Sequence, residues 1–205
     1  MNLALSAARG LMRAMAAADT RTLIERAALT LFVRDGYDAA TTRLIAAEAG
    51  ISEGAIYRHF RSKEELAGNL FLAIHRRLTE VITKAAAGAL GIDAKVGAAV
   101  AAYCAVADED WLLYAFHLLT LHRFLPLWEE TGDDPVTAVE RIVAQAIADR
   151  EIPPGDPALL AAMALGIVTQ TAQNMAYHRI AAPLSAHAGA FAAAIGAVFR
   201  SRPTL

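Results

Sequence analysis

The sequence predicts an all-α protein, in which a small N-terminal three-helix unit precedes a larger C-terminal helical domain, with about nine helices in total. Apolar residues recur at the three- and four-residue spacing of amphipathic helices along almost the whole chain. No segment shows the strict alternation of a half-buried strand. Glycines and prolines separate the helical segments.

The composition limits the protein to one large domain or two small ones, because the chain has 205 residues. Its formal charge is −2, so no strong overall positive field indicates nucleic acid. Residues 1–70 contain nine basic and eight acidic residues, and residues 71–205 contain ten and thirteen. The hydrophobic fraction of 56% exceeds the usual value of about 45–50%. Such an excess predicts an internal cavity or an apolar surface that a partner covers.

Several kinds of site and location are disfavoured. Cys104 is the only cysteine, which excludes an intrachain disulfide, and its neighbours predict a small buried side chain. The six histidines form no pair with metal-ligand spacing on a helix face, so we expect neither a metal nor a cofactor. We find no signal peptide and no uninterrupted apolar run of about 18 residues, so we expect a cytoplasmic protein that does not span a membrane.

The N-terminal part is divided by its capping residues. We expect a flexible alanine-rich arm over residues 1–18 and a three-helix domain over residues 19–66. Helix 1 begins near Thr20 or Arg21 and ends at Gly36, since glycine tolerates the left-handed conformation after a helix. Thr41 and Thr42 both offer a capping hydroxyl for a short second helix over 43–49.

Gly50 closes the second helix, and Ser52 is predicted to cap a third over residues 53–60. Ser62 and Glu65 form a capping box that opens helix 4, which continues to about Ala87. The remaining domain, residues 67–205, is predicted to continue with a helix after an Asp93 cap to about 107, and then with helices over about 109–124, 135–149, 157–180 and 185–200.

Residues 42–60 have the pattern of a helix-turn-helix. Gly50 permits the tight turn, Ala46 is small where the helices cross, and Ile51 and Ile56 face inward. The outward face of the third helix, which is the second helix of this motif, then shows small residues near its N-terminus. These residues allow its backbone to approach bases in the major groove. These outward residues are Glu53, Gly54, Ala55, Tyr57, Arg58 and His59.

Lys63 lies in the first turn of helix 4, where the helix dipole disfavours a cation. A phosphate facing this helix end would account for its position, although a solvated lysine is an equally good explanation.

The segment from Thr41 to Leu66, TTRLIAAEAGISEGAIYRHFRSKEEL, resembles the signature of the TetR family of bacterial regulators, and Phe32, Gly36 and Tyr37 agree with it. The resemblance covers about residues 20–70, and the rest of the chain agrees only in the number and order of its helices. It implies a homodimer that binds a palindromic DNA operator and is released by a small-molecule inducer. A repressor is favoured over an activator.

The resemblance also implies roles for individual residues. Thr42 resembles a helix cap that touches phosphate, and Arg43 resembles a base-contacting arginine. Base-facing or adjacent positions are occupied by Glu53, Gly54, Tyr57 and Arg58, and positions beside the DNA backbone by Ala55, His59 and Lys63. With the cap Ser52, these residues form the predicted DNA-binding site. Glu53 would repel phosphates unless it accepts a hydrogen bond from a cytosine amino group. Tyr57 has an alternative place in packing under helix 1.

Two alternative functions correspond to features of the sequence. Gly50-Ile51-Ser52-Glu53-Gly54 matches the nucleophile elbow of hydrolases, but that elbow needs a strand before the serine, and here a helix precedes it. We therefore do not expect an enzyme. The second alternative is an architectural or protein-interaction module that binds DNA and has no ligand.

A ligand pocket is expected in the C-terminal domain, as the resemblance implies. Aromatic residues of helices 5 and 6 and amides of helix 8 have the composition of a small-molecule site, although core packing explains the aromatics equally well. The candidate lining residues are Tyr103, Trp111, Tyr114, His117, Phe124, Gln170, Gln173, Asn174 and Tyr177.

The dimer interface is predicted on helices 8 and 9. Small residues repeat every four positions on both helices, which lets helix backbones approach closely. The predicted interface residues are Ala162, Gly166, Phe191, Ala193 and Ala197, although these stripes could also pack within one subunit.

Overall fold

The computed structural model describes residues 19–124 and 134–201. Its regular secondary structure is entirely helical, which confirms the predicted all-α class. The arm predicted over residues 1–18 lies outside the described residues. The helices are α1 (19–34), α2 (Thr42–Glu48), α3 (Glu53–Ile56), α4 (Lys63–Ala87), α5 (Ile92–Glu109), α6 (Trp111–Phe124), α7 (Pro135–Ala148), α8 (Pro157–Ala176), a 3₁₀ turn (Leu184–His187) and α9 (Ala188–Arg200).

The chain divides into two compact units, Met1–Leu70 and Phe71–Leu205, with the boundary inside α4. In the first unit α1 buries the apolar face predicted from its spacing, including Ile24, Ala28 and Phe32. Ile45, Ile56, Phe60 and Leu66 are also fully or almost fully buried there. In the second unit one apolar core collects side chains from α4 to α9. Cys104 lies in this core with no exposed surface, as predicted.

Three helices end in the same motif, with a left-handed residue just past the last turn. After α2 this residue is Gly50, with φ +67°, and the Ile51 amide donates to the Ala46 carbonyl at 3.0 Å. Arg150 and His178 take the same position after α7 and α8, with φ 61° and 57°. The prediction that helix 8 reaches residue 180 was therefore wrong, because the chain turns at a histidine where no glycine signals the end.

Aspartates cap two helices of the second unit. Asp134 and Asp156 cap α7 and α8, and proline is the first residue of both helices. Asp93 does not cap α5, which begins at Ile92 after Gly91. The Asp93 carboxylate instead accepts a hydrogen bond from Arg200 at 2.6 Å. Asp93 thus pairs with a residue that is distant in the chain and does not cap its own helix.

Within the described ranges, none of the helices combines the length and apolar composition that a membrane crossing requires. The same residues contain no group of three or more histidine, cysteine or acidic side chains placed to hold a metal ion.

Candidate DNA-binding surface and ligand cavity

The helix-turn-helix is built as the sequence predicts. Gly50 makes the turn between α2 and α3, and its positive φ is one that residues with a side chain rarely adopt. Ala46 and Ile56 are buried, and Ile51 is half-buried. Small and apolar contacts therefore fix the two short helices against each other.

Most predicted base-facing residues lie at the surface of this module. Arg43, Glu53, Gly54, Tyr57 and Arg58 are exposed, and the Tyr57 side chain shows 54% of its surface to solvent. Its exposure contradicts the alternative in which the tyrosine packs under helix 1. Of the remaining predicted residues, Ser52 is exposed and His59 is half-buried.

Two predictions about α3, the second helix of the helix-turn-helix, were wrong. Ala55 is buried, with 4% of its surface exposed, so it belongs to the inner face with Ile56. The helix is also shorter than predicted, because α3 ends at Ile56 and turns follow to residue 59. The Ile56 carbonyl accepts from both His59 and Phe60, which converts the end of the helix into a tight turn.

The hydroxyl groups of this module have different partners from those predicted. Thr41 is the cap of α2 and accepts from the Leu44 amide at 3.2 Å, whereas Thr42 is the first helical residue. Ser52 lies at the cap position of α3, but its side chain makes no capping hydrogen bond. Helix α2 and a turn precede Ser52, so the strand of a hydrolase elbow is absent from this position.

The Thr42 hydroxyl instead donates to the Glu53 carboxylate at 2.6 Å, and its oxygen lies 3.3 Å from the Tyr57 hydroxyl oxygen. These contacts connect α2, α3 and the following turn through side chains on the exposed surface. No pattern in the sequence indicates this network, since a threonine and a glutamate eleven positions apart have no characteristic spacing.

Lys63 is half-buried, and its ammonium group is held inside the module. It donates to the backbone carbonyls of Tyr37 and Ala40, at 2.9 and 2.8 Å, and lies 4.2 Å from the centre of the Tyr37 ring. Two of its three protons are therefore used within the protein. These contacts explain why a cation occurs at the N-terminus of α4, and a bound phosphate is not needed to account for it.

The second unit places the predicted pocket residues in four different environments. The first is the core, where Tyr114, His117 and Phe124 are buried. Tyr114 donates a hydrogen bond to Tyr103 at 3.3 Å, and burial raises the pKa of Tyr103 to about 12. Both phenols are therefore neutral parts of the core.

His117 pairs with a residue that the sequence reading missed. His75 Nδ1 lies 2.8 Å from His117 Nε2, and the Phe71 ring stacks on both imidazoles. Burial lowers the pKa of both histidines, that of His117 to about 3, so both are neutral at physiological pH. His75 follows Phe71 and Ile74 in the inward stripe of α4, and this spacing is the signal that could have found it.

The second environment is the exposed face of α8. Gln170 and Tyr177 are exposed and Gln173 and Asn174 half-buried, and the Asn174 amide donates to the Gln170 carbonyl. The prediction that these amides line an internal pocket was therefore wrong. The third environment is a surface depression of about 440 Å³ beside Trp111 and residues 178–182.

The fourth environment is an apolar cavity of about 60 Å³, which lies between α4, α5, α7, α8 and α9. Tyr103 is the one predicted pocket residue that lines it. Lys95 is the only charged residue among the described residues that form its wall. The other lining residues are Ile82, Val96, Ala99, Val100, Val139, Ile142, Ala164, Leu165, Val168, Ile195 and Phe199.

The predicted dimer residues separate into an outward and an inward group. Ala162, Ala193 and Ala197 are exposed and Gly166 is half-buried. Phe191 is wrong as an interface residue, since 94% of its surface is buried in the core of its own subunit. One helical turn separates the exposed alanines of α9, so they form a continuous stripe.

Known proteins match this chain in its N-terminal module. The family model described as bacterial regulatory proteins of the tetR family matches residues 24–70. The HTH-type transcriptional repressor AcnR of Corynebacterium glutamicum is 39% identical over 70 residues, which are 32% of this chain and 35% of AcnR. Matches to the curated relatives cover only 15% to 35% of those proteins.

Solved structures resemble the chain over most of its length. The fatty acid degradation regulator FadR from Bacillus halodurans has a TM-score of 0.74 and 20% identity, covering 85% of this chain and 93% of that one. FadR from Bacillus subtilis, in complex with stearoyl-CoA, has a TM-score of 0.71 and 19% identity, covering 85% and 96%. At these identities the likeness shows the fold alone. The N-terminal helix-turn-helix module, over residues 24–70, thus matches the tetR family of bacterial regulatory proteins.

Proposed function

We propose that this protein is a homodimeric transcriptional repressor that binds a palindromic operator and is released by a small molecule. The observation that carries the proposal is the exposed surface of α2, α3 and the turn that follows α3. It presents two arginines, Arg43 and Arg58, beside the hydrogen-bonded group of Thr42, Glu53 and Tyr57. Arginine side chains read guanine and contact phosphate, and a carboxylate accepts from the cytosine amino group. Because it acts on DNA, we expect the protein in the bacterial cytoplasm.

A dimer is supported by the outer faces of α8 and α9. The exposed residues Leu159 and Met163 of α8 continue the apolar surface of Ala162, and the stripe on α9 offers small side chains for close helix packing. α3 has four residues and reads few bases, so a second copy is needed for specificity. Two-fold symmetry would place the recognition helices about 34–36 Å apart, or a multiple of that distance.

Release by a ligand is supported by the cavity in the second unit and by the FadR structure that contains stearoyl-CoA. A ligand that prefers the conformation with low operator affinity weakens DNA binding by the same factor that DNA weakens its own binding. We expect a coupling of about 1–3 kcal/mol.

The proposal is tested by selecting DNA from a random pool with the full-length protein. We expect an enriched palindrome whose two halves are one or more helical turns apart. The Arg58→Ala protein should lose the sequence preference and keep weak binding to any DNA. Equal binding of all sequences by the unaltered protein would contradict a specific regulator and favour an architectural module.

A further inference from the structure

The apolar cavity adjoins a second depression with a different character. Lys95 and Ile142 border both, so the two spaces meet at these side chains. The second depression has a volume of about 220 Å³ and is lined by Thr83, Arg141 and Gln145, together with three alanines of α4 and α7. Two cations thus lie beside an apolar cavity. None of the described residues that line either space is acidic.

We propose that the ligand is an amphipathic anion with a short apolar tail, held by Lys95 at the junction of these two spaces. This inference rests on the proposed ligand-responsive function and specifies the ligand for it. Lys95 is half-buried, and its ammonium group makes no ion pair or hydrogen bond with another described residue. Burying a cation beside apolar side chains is unfavourable unless an anion compensates it. The ligand's anionic group supplies that compensation.

The size of the cavity limits the tail. A single water needs about 10–15 Å³ of such space, so a cavity of about 60 Å³ admits roughly four to six heavy atoms. A five-carbon alkyl tail fits this volume, and an eighteen-carbon acyl chain does not. The wall offers such a tail apolar contacts, among them Ala164 and Val168 of α8 and Ile195 of α9.

The test uses hexanoate and its neutral counterpart hexan-1-ol as probes of the full-length protein, with dissociation constants from ligand-observed NMR titration. We expect hexanoate to bind at least about tenfold more tightly than hexanol, because a charged contact is lost in the alcohol. Lys95→Met should weaken hexanoate binding by about tenfold or more and change hexanol binding less than about threefold. Lys95→Arg should restore hexanoate binding.

Two further variants control for folding and position. Lys84→Met removes an exposed lysine of α4 that does not line the site and should change neither constant. Val168→Phe fills the cavity and should abolish binding of both probes while the circular dichroism spectrum stays the same. Equal affinity for hexanoate and hexanol, undiminished hexanoate binding by Lys95→Met, or tighter binding of stearoyl-CoA than of hexanoate would each overturn the proposal.

Operator binding distinguishes a wrong ligand class from a wrong regulatory function. Operator binding is measured in parallel, with and without hexanoate. Lysine-dependent hexanoate binding that leaves operator affinity unchanged supports the site and contradicts the inducer role. Operator release by another compound, with no hexanoate binding, supports the regulator and overturns the ligand class proposed here.

Discussion

Replacing Lys63 by methionine should destabilise the DNA-binding module. Methionine keeps most of the apolar stem but removes the ammonium group that donates to the Tyr37 and Ala40 carbonyls. Hydrogen bonds from charged groups contribute about 1.5–3 kcal/mol each, and the lower value applies to a half-buried lysine. The contact with the Tyr37 ring adds about 0.5–1 kcal/mol. After allowance for the desolvation of the cation, we expect a loss of about 2–3 kcal/mol.

The assay is amide hydrogen exchange of the full-length protein, followed by mass spectrometry of peptides from residues 24–66. Exchange in these peptides should accelerate in Lys63→Met, and the free energy of opening should fall by the stated amount. Lys84→Met, which alters an exposed lysine in the last turn of the same helix, should change it by less than about 0.5 kcal/mol. Identical exchange in Lys63→Met and the unaltered protein would refute a structural role for the ammonium group.

Three further predictions concern DNA binding, assembly and pH. Arg43→Ala should weaken operator binding by about 1–3 kcal/mol per half-site in a fluorescence titration, whereas Arg34→Ala, which alters an arginine paired with its neighbour Asp35, should not. Ala193→Arg should give monomers in sedimentation experiments, whereas Ala101→Arg, on the exposed face of α5, should stay dimeric. A dimeric Ala193→Arg protein would disprove this interface. The pKa of His117 in the folded state is lowered from 6.5 to about 3. Its contribution to stability is therefore fully present above pH 6.5 and is lost as the pH falls below 6.5. At pH 5 we expect the loss to be about 2 kcal/mol. The difference in unfolding free energy between pH 7 and pH 5 should therefore be smaller in His117→Gln.

The elements with local signals were predictable from the sequence. Helical spacing, the glycine turn at Gly50 and the proline starts of α7 and α8 all depend on neighbours in the chain. The end of α8 at His178 was missed, because a histidine in the left-handed conformation carries no such signal. The 3₁₀ turn that precedes α9 was missed as well, and the predicted helix began at its residues.

The positions of candidate site residues could be predicted only in the N-terminal module, where the helices are amphipathic and most of the predicted residues face solvent. α8 is apolar around much of its circumference, so its spacing does not show which side is buried, and its amides were assigned to the wrong face. Tyr114 and Phe124 were assigned to a pocket because core and pocket have the same aromatic composition. The spacing of α4 places His75 on its inward side, but its hydrogen bond with His117 depends on contacts between distant segments, which no pattern in the sequence records. The same is true of the place of Lys95 beside the cavity.

The single thiol of this protein offers a practical route to measuring its motions. Cys104 is fully buried, and burial raises its pKa to about 11, so it holds almost no reactive thiolate at neutral pH. Thiol-directed labels will therefore react selectively with a cysteine introduced at the surface, such as Arg61→Cys beside the recognition helix, without removal of the native residue. A pair of spin labels attached there would report the separation of the two DNA-binding modules directly, with and without operator or hexanoate.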